Sequence, residues 1–213
     1  MLIGLLVVLF FVLALLSFPG RISRNPVTGR AFTDLESLLI QRSIAVLFMF
    51  PVLIVYLSTF SQWCRLPQSA LISIALIALI LPPAAMLSVK KTSDARMEIL
   101  FSRLTKGSPQ WLFYLVVTFA YMIAYELLMR GVFLNYLIGN MDVIFAVAIN
   151  TLVYAAMHLF KNLKEALLCI PLGIFLCWIT LYTQSIWPAA IFHLIFALSF
   201  ELSYAAKLKH ANA

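Results

Sequence analysis

Charge is what this sequence has least of. Only 11% of its 213 residues are Asp, Glu, Lys or Arg, against 64% hydrophobic. A soluble domain typically carries about 25% charged residues, so a solvated globular surface cannot be assembled from this chain. Cysteine is restricted to Cys64, Cys169 and Cys177, which form no metal-like pair. Cys169 and Cys177 sit in an apolar run, where a thiol reads as a small hydrophobe. A His-Glu-x-x-His signature is missing, and there is no internal repeat. The first apolar run lacks the basic n-region of a signal peptide, and Ser17-Phe18-Pro19-Gly20 is a poor cleavage site, so it reads as a retained helix.

What the chain does have is long apolar runs, several of them near or above the ~20 residues that cross a bilayer. Seven spans are expected: roughly Leu2–Phe18, Ser43–Phe60, Ala70–Val89, Trp111–Leu137, Val143–Phe160, Ala166–Leu181 and Ile186–Ala206. The expected fold is an all-α polytopic membrane bundle forming a single domain over residues 1–213. Pro51 and Pro82-Pro83 are expected to kink the second and third spans, which membrane helices tolerate.

The net charge of +7 invites a nucleic-acid reading, but its distribution argues for topology. Arg21, Arg24, Arg30, Arg42, Lys90, Lys91, Arg96, Arg103, Lys106, Lys161, Lys164, Lys207 and Lys209 all fall on one side of the seven-span arrangement. The alternate loops hold Arg65, and Arg130 lies within a span. The positive-inside rule then places the N-terminus outside and the C-terminus in the cytoplasm. No nucleic-acid partner is expected; the bilayer is the partner. Two longer cytoplasmic stretches remain. Gly20–Leu35 reads as loop, with Asn25-Pro26 and Thr28-Gly29 as turn signals. Within Lys90–Gln110, Met97, Leu100, Phe101 and Leu104 have helical spacing opposite Arg96 and Arg103, which suits a helix lying in the membrane interface.

The few titratable groups inside apolar runs are the candidates for function, because an ionisable side chain at a helix centre costs at least ~2.5–3.5 kcal/mol in a bilayer. Glu126 and Arg130 are four apart on the fourth span and share a face, so they can pair. His158 closes the fifth span and His193 lies in the seventh; neutral imidazole is cheap to bury and exchanges protons near neutral pH. Glu165 follows His158 by seven residues, at the start of the sixth span, where a helix N-terminus also favours a carboxylate. Residues 1–110 read as support, and residues 111–206 as the core that carries chemistry.

The order Glu126-x-x-x-Arg130, Tyr154-x-x-x-His158 and His193-x-x-x-Ala197 on successive late spans resembles the CPBP intramembrane endopeptidases (the Abi, CAAX-processing type). Gly173 and the turn Thr183-Gln184-Ser185-Ile186 fit the same pattern. The resemblance covers roughly residues 111–206. It implies a cavity among membrane helices and the hydrolysis of a peptide bond in a membrane-associated protein or peptide. The family's first motif is usually Glu-Glu-x-x-x-Arg, whose first Glu activates water; Tyr125 stands at that position here, and Glu126 at the second. The resemblance implies that His158 works beside the base and that His193 helps hold the oxyanion. The motif's final Asn is replaced by Ala197. Members with an aromatic-Glu first motif also carry His-x-x-Lys-x-x-x-Glu, matching His158, Lys161 and Glu165, so Glu165 is a candidate for the missing carboxylate. The second half of an oxyanion site would then fall to Tyr154, to Asn150, or to nothing.

The leading expectation is therefore an intramembrane endopeptidase using Glu126, Arg130, His158, Glu165 and His193, without a required cofactor. A metal ion on two His and a Glu is the minor reading. The alternatives are a non-catalytic family member acting in assembly, maturation or immunity, and a proton-coupled transporter, which the lack of a repeat disfavours. Short turns and small size point to a bacterial inner membrane.

Overall fold

In the computed structural model the described residues are 39–40, 42–47, 49, 65–89, 109–159 and 163–211. The first expected span, Pro51, Cys64, the Gly20–Leu35 loop and the interfacial segment through residue 108 lie outside them. All regular structure among the described residues is helical. A short helical stretch at 42–47 is followed by α1 (Gln68–Val89) and α2 (Pro109–Glu126). The chain then passes without a break into a seven-residue π-helix, π1 (Leu127–Phe133), and α3 (Leu134–Ile138). The bundle is completed by α4 (Val143–His158), α5 (Leu163–Thr183) and α6 (Trp187–Ala211).

These bounds follow the apolar runs closely, with one difference. The expected regular helix over Trp111–Leu137 contains π1, in which amides bond carbonyls five residues back instead of four. The Leu134 amide accordingly bonds Met129 O. Helical backbone also continues across Pro82-Pro83 in α1 and across Pro171 in α5.

Packing pairs the helices. α1 lies along α6 and α4 along α5, while α2 touches α6 and α3 touches α4. The interior they enclose is built from Leu128, Met129, Leu134, Tyr154, Leu176 and Ala189, each at most 5% exposed. Close approach of α4 and α5 depends on Gly173, where an added Cβ would stand 3.1 Å from both Thr151 Cγ2 and Tyr154 Cδ1. The α5–α6 connection is tight: Gln184 adopts a left-handed φ of 51°, and the Ser185 hydroxyl accepts the Trp187 amide while donating to Arg65 O at 2.8 Å.

The outer faces are as apolar as the interior. Leu79, Leu112, Ile144, Phe145, Leu168 and Trp178 are each more than half exposed. So much uncovered apolar surface would be an aggregation liability in water and is the normal exterior of a helix bundle in lipid. Two helical stretches, Leu112–Ile138 and Ala166–Thr183, are long and apolar enough to cross a membrane. Arg42, grouped with the loop charges by sequence, instead reaches α2. Its guanidinium carbon lies 5.2 Å from the Tyr114 ring centroid, and it donates to the buried Thr118 hydroxyl.

Candidate active site

Glu126 ends α2 and Arg130 lies one turn on, inside π1. Both side chains have zero exposure, and Arg130 Nη1 donates to Glu126 Oε1 at 3.2 Å. The same carboxylate oxygen meets His193 Nδ1 of α6 at 2.6 Å. A carboxylate only accepts, so Nδ1 holds the proton, and a neutral His193 ring carries its lone pair on Nε2. Three of the five sequence candidates are thus brought into one contiguous unit. The second carboxylate oxygen, Oε2, is buried without a hydrogen-bond partner.

Arg130 is only half satisfied. Its guanidinium carbon lies 4.5 Å from the centroid of the Tyr154 ring, a cation–π contact strengthened by burial. Nε and Nη2 have no hydrogen-bond partner. Those two N–H groups form one edge of the guanidinium, the parallel pair that suits a carboxylate or other oxyanion.

Tyr154 is the hub. Its ring lies 5.9 Å from His193, nearly perpendicular to it, and 4.8 Å from His158. His158 is partly buried at the end of α4 and donates from Nδ1 to Tyr154 O at 3.0 Å, which again leaves Nε2 as the lone-pair nitrogen of the neutral ring. His158 therefore reaches the Glu126 unit through the Tyr154 ring. Glu165 lies in the first turn of α5; its side chain, like Lys161, lies outside the described residues.

The positions where the sequence departs from the resembled motifs have clear surroundings. Tyr125 packs 5.8 Å from His193 and 6.0 Å from Tyr154, so an aromatic wall stands where a carboxylate was usual. Ala197 sits one turn beyond His193 on α6 and offers only a methyl group. Asn150 is committed elsewhere. Its amide donates to Met129 O at 2.8 Å, and its carbonyl accepts from Cys177 Sγ at 3.2 Å. Cys177 is thus a hydrogen-bond donor as well as the small hydrophobe expected, and Asn150 faces π1 and α5 in place of an oxyanion. The signal for both was present: a fully buried amide in an apolar run needs partners. Among the described residues no group of three His, Cys, Asp or Glu side chains is placed to hold a metal ion.

Residues 107–199 match the family described as type II CAAX prenyl endopeptidase Rce1-like. This part of the chain, which contains every element of the site, is similar to the CAAX protease family, whose members are membrane-integral proteases. No curated protein and no solved structure matches the chain.

Proposed function

We propose that this chain, Rce1-like over residues 107–199, is an intramembrane endopeptidase that hydrolyses a peptide bond in a membrane-associated protein or peptide. The observation that carries the reading is the fully buried Glu126 carboxylate held between Arg130 and His193, in a bundle whose outside is apolar. Such an arrangement resembles the carboxylate–imidazole pairing that orients a proton-transferring histidine.

The roles follow from the tautomers. His193 Nε2 takes a proton from water as the hydroxyl adds to the scissile carbonyl carbon. Glu126 stabilises the imidazolium so formed, and that proton passes to the departing amine as the C–N bond breaks. This differs from the oxyanion role implied for His193 by resemblance, because its Nδ1–H is already given to Glu126. The unpaired Nε/Nη2 edge of Arg130 supplies donors to the oxyanion. His158 packs 4.8 Å from the Tyr154 ring, with Glu165 at the adjoining helix start as a further carboxylate. Residues 111–206 form the catalytic core, and the N-terminal spans support it. In this reading the chain lies in a bacterial inner membrane, and the excess of Lys and Arg on one side supports a cytoplasmic C-terminus.

The test compares protein termini in membranes of cells making the wild-type chain, His158→Ala or His193→Ala. Termini that appear with the wild type and vanish with both folded variants support the reading; identical sets of termini in all three sink it. A second reading has its own support in Tyr125 and Ala197: a family member without proteolysis, acting in assembly, maturation or immunity. It predicts that the two histidine variants leave all termini unchanged while weakening the fold in detergent.

A further inference from the structure

We propose that Asn150 and Cys177 are positioning residues that hold π1 in register and thereby hold Arg130 and Glu126 against His193. The catalytic consequence rests on the peptidase reading; the structural consequence does not.

The argument begins with the Met129 carbonyl. It is buried, accepts the Leu134 amide across the wide π turn, and has a second lone pair to satisfy. Asn150 fills that need from α4, 21 residues away in sequence, at 2.8 Å. The Asn150 carbonyl would then be stranded at zero exposure but for Cys177, 27 residues further on α5, at 3.2 Å. One chain of hydrogen bonds therefore ties π1, α4 and α5 together at the residue preceding Arg130.

A π-helix is less favourable than an α-helix of the same sequence, and it persists where something outside the helix holds it. Reverting to α geometry would hand Met129 O to the Phe133 amide and rotate the residues on one side of the slip. Arg130 would then turn relative to Glu126, which is fixed from the other side by His193 on α6. Asn150 hydrogen-bonds neither Glu126 nor His193, so its influence on the site is carried by the backbone of π1, whereas Cys177 also lies against the Arg130 side chain.

The experiment uses the full chain in detergent with nitrogen-15 histidine. The 2.6 Å contact of His193 Nδ1 with Glu126 gives the bridging proton a strongly downfield resonance, which reports the site geometry without needing any activity. Asn150→Ala and Asn150→Asp, which cannot donate to Met129 O as the amide does, are expected to shift or abolish that resonance. Cys177→Ser, which keeps a donor, is expected to retain it, and Cys177→Ala to shift it. If Asn150→Ala fails to fold, Asn150→Asp decides, since it keeps the side chain's shape, does not contact the charged pair and removes the donor to Met129 O. An unchanged resonance in the folded variants, even with lowered thermal stability, overturns the proposal and reduces the pair to interhelical glue.

Once a cleaved substrate is known, Asn150→Asp should lose turnover on the order of 100-fold, as small misplacements of catalytic groups do, with KM little changed. A wild-type chain that cleaves nothing refutes the peptidase reading, while the resonance still tests the positioning.

Discussion

Glu126 and His193, 67 residues apart, meet at 2.6 Å with the carboxylate fully buried. The contact closes α2 onto α6, and α6 in turn lies along α1. A carboxylate and an imidazole buried together in an apolar bundle make the stability, and with it the proposed chemistry, depend on the same few atoms.

Stability is the first place to look. Glu126→Ala leaves Arg130 as an uncompensated buried cation and should cost about 3–5 kcal/mol. The double variant Glu126→Ala/Arg130→Met, which removes both charges, should regain most of that loss. Unfolding of the three proteins in detergent measures it; equal losses in the single and double variants would show that the pair is not energetically coupled.

The α4–α5 contact gives a packing prediction. Gly173→Ala brings a methyl group to 3.1 Å from Thr151 and Tyr154, both fixed by neighbouring helices. Overpacking of this kind costs about 1–3 kcal/mol. Because Tyr154 supports Arg130, the proposed peptidase activity should fall more steeply in Gly173→Ala than in a distant variant of equal melting temperature.

The α5–α6 turn yields a backbone prediction. Gln184 holds φ at 51°, a region that β-branched side chains avoid. Gln184→Val should cost about 1–2 kcal/mol on the scale of left-handed backbone strain. Gln184→Gly should be nearly neutral, because relief of strain offsets the lost hydrogen bond from its side chain to Leu181 O. A Val variant as stable as the Gly variant would refute this account of the turn.

Topology can be mapped independently. In a bacterial host, alkaline phosphatase fused after Arg65 should be active, since that loop is external in the proposed arrangement, and a fusion after Ala211 should be inactive. The reverse pattern would invert the assignment.

Some of this was legible in the residues alone. The Glu126–Arg130 pair follows from spacing four on a helix, and His193 stood out because a titratable group inside an apolar run calls for a partner. That its partner is Glu126 could not be read, since sequence spacing says nothing about which helices touch. The partners of Asn150 and Cys177, Met129 O and each other, were hidden for the same reason. Gly173 was noticed as part of a pattern, but its physical cause, the approach of α4 and α5, exists only in three dimensions. Tyr154 and His158 were recognised as a spacing-four motif on one helix, and the contact of the Tyr154 ring with both histidines emerges from packing.

The π-helix has one more consequence. It shifts the phase of everything that follows, so the apolar stripe on α3 is offset by about one residue, roughly 100° of rotation, from the stripe on α2. Leu134 and Leu137 are buried because of that offset. Deleting one residue between Leu127 and Phe133 would give a more regular helix and a worse protein: α3 would bring Asn135 to the buried place of Leu134 and move Leu137 to the exposed place of Tyr136. A shorter, tidier chain at this point would be the wrong one.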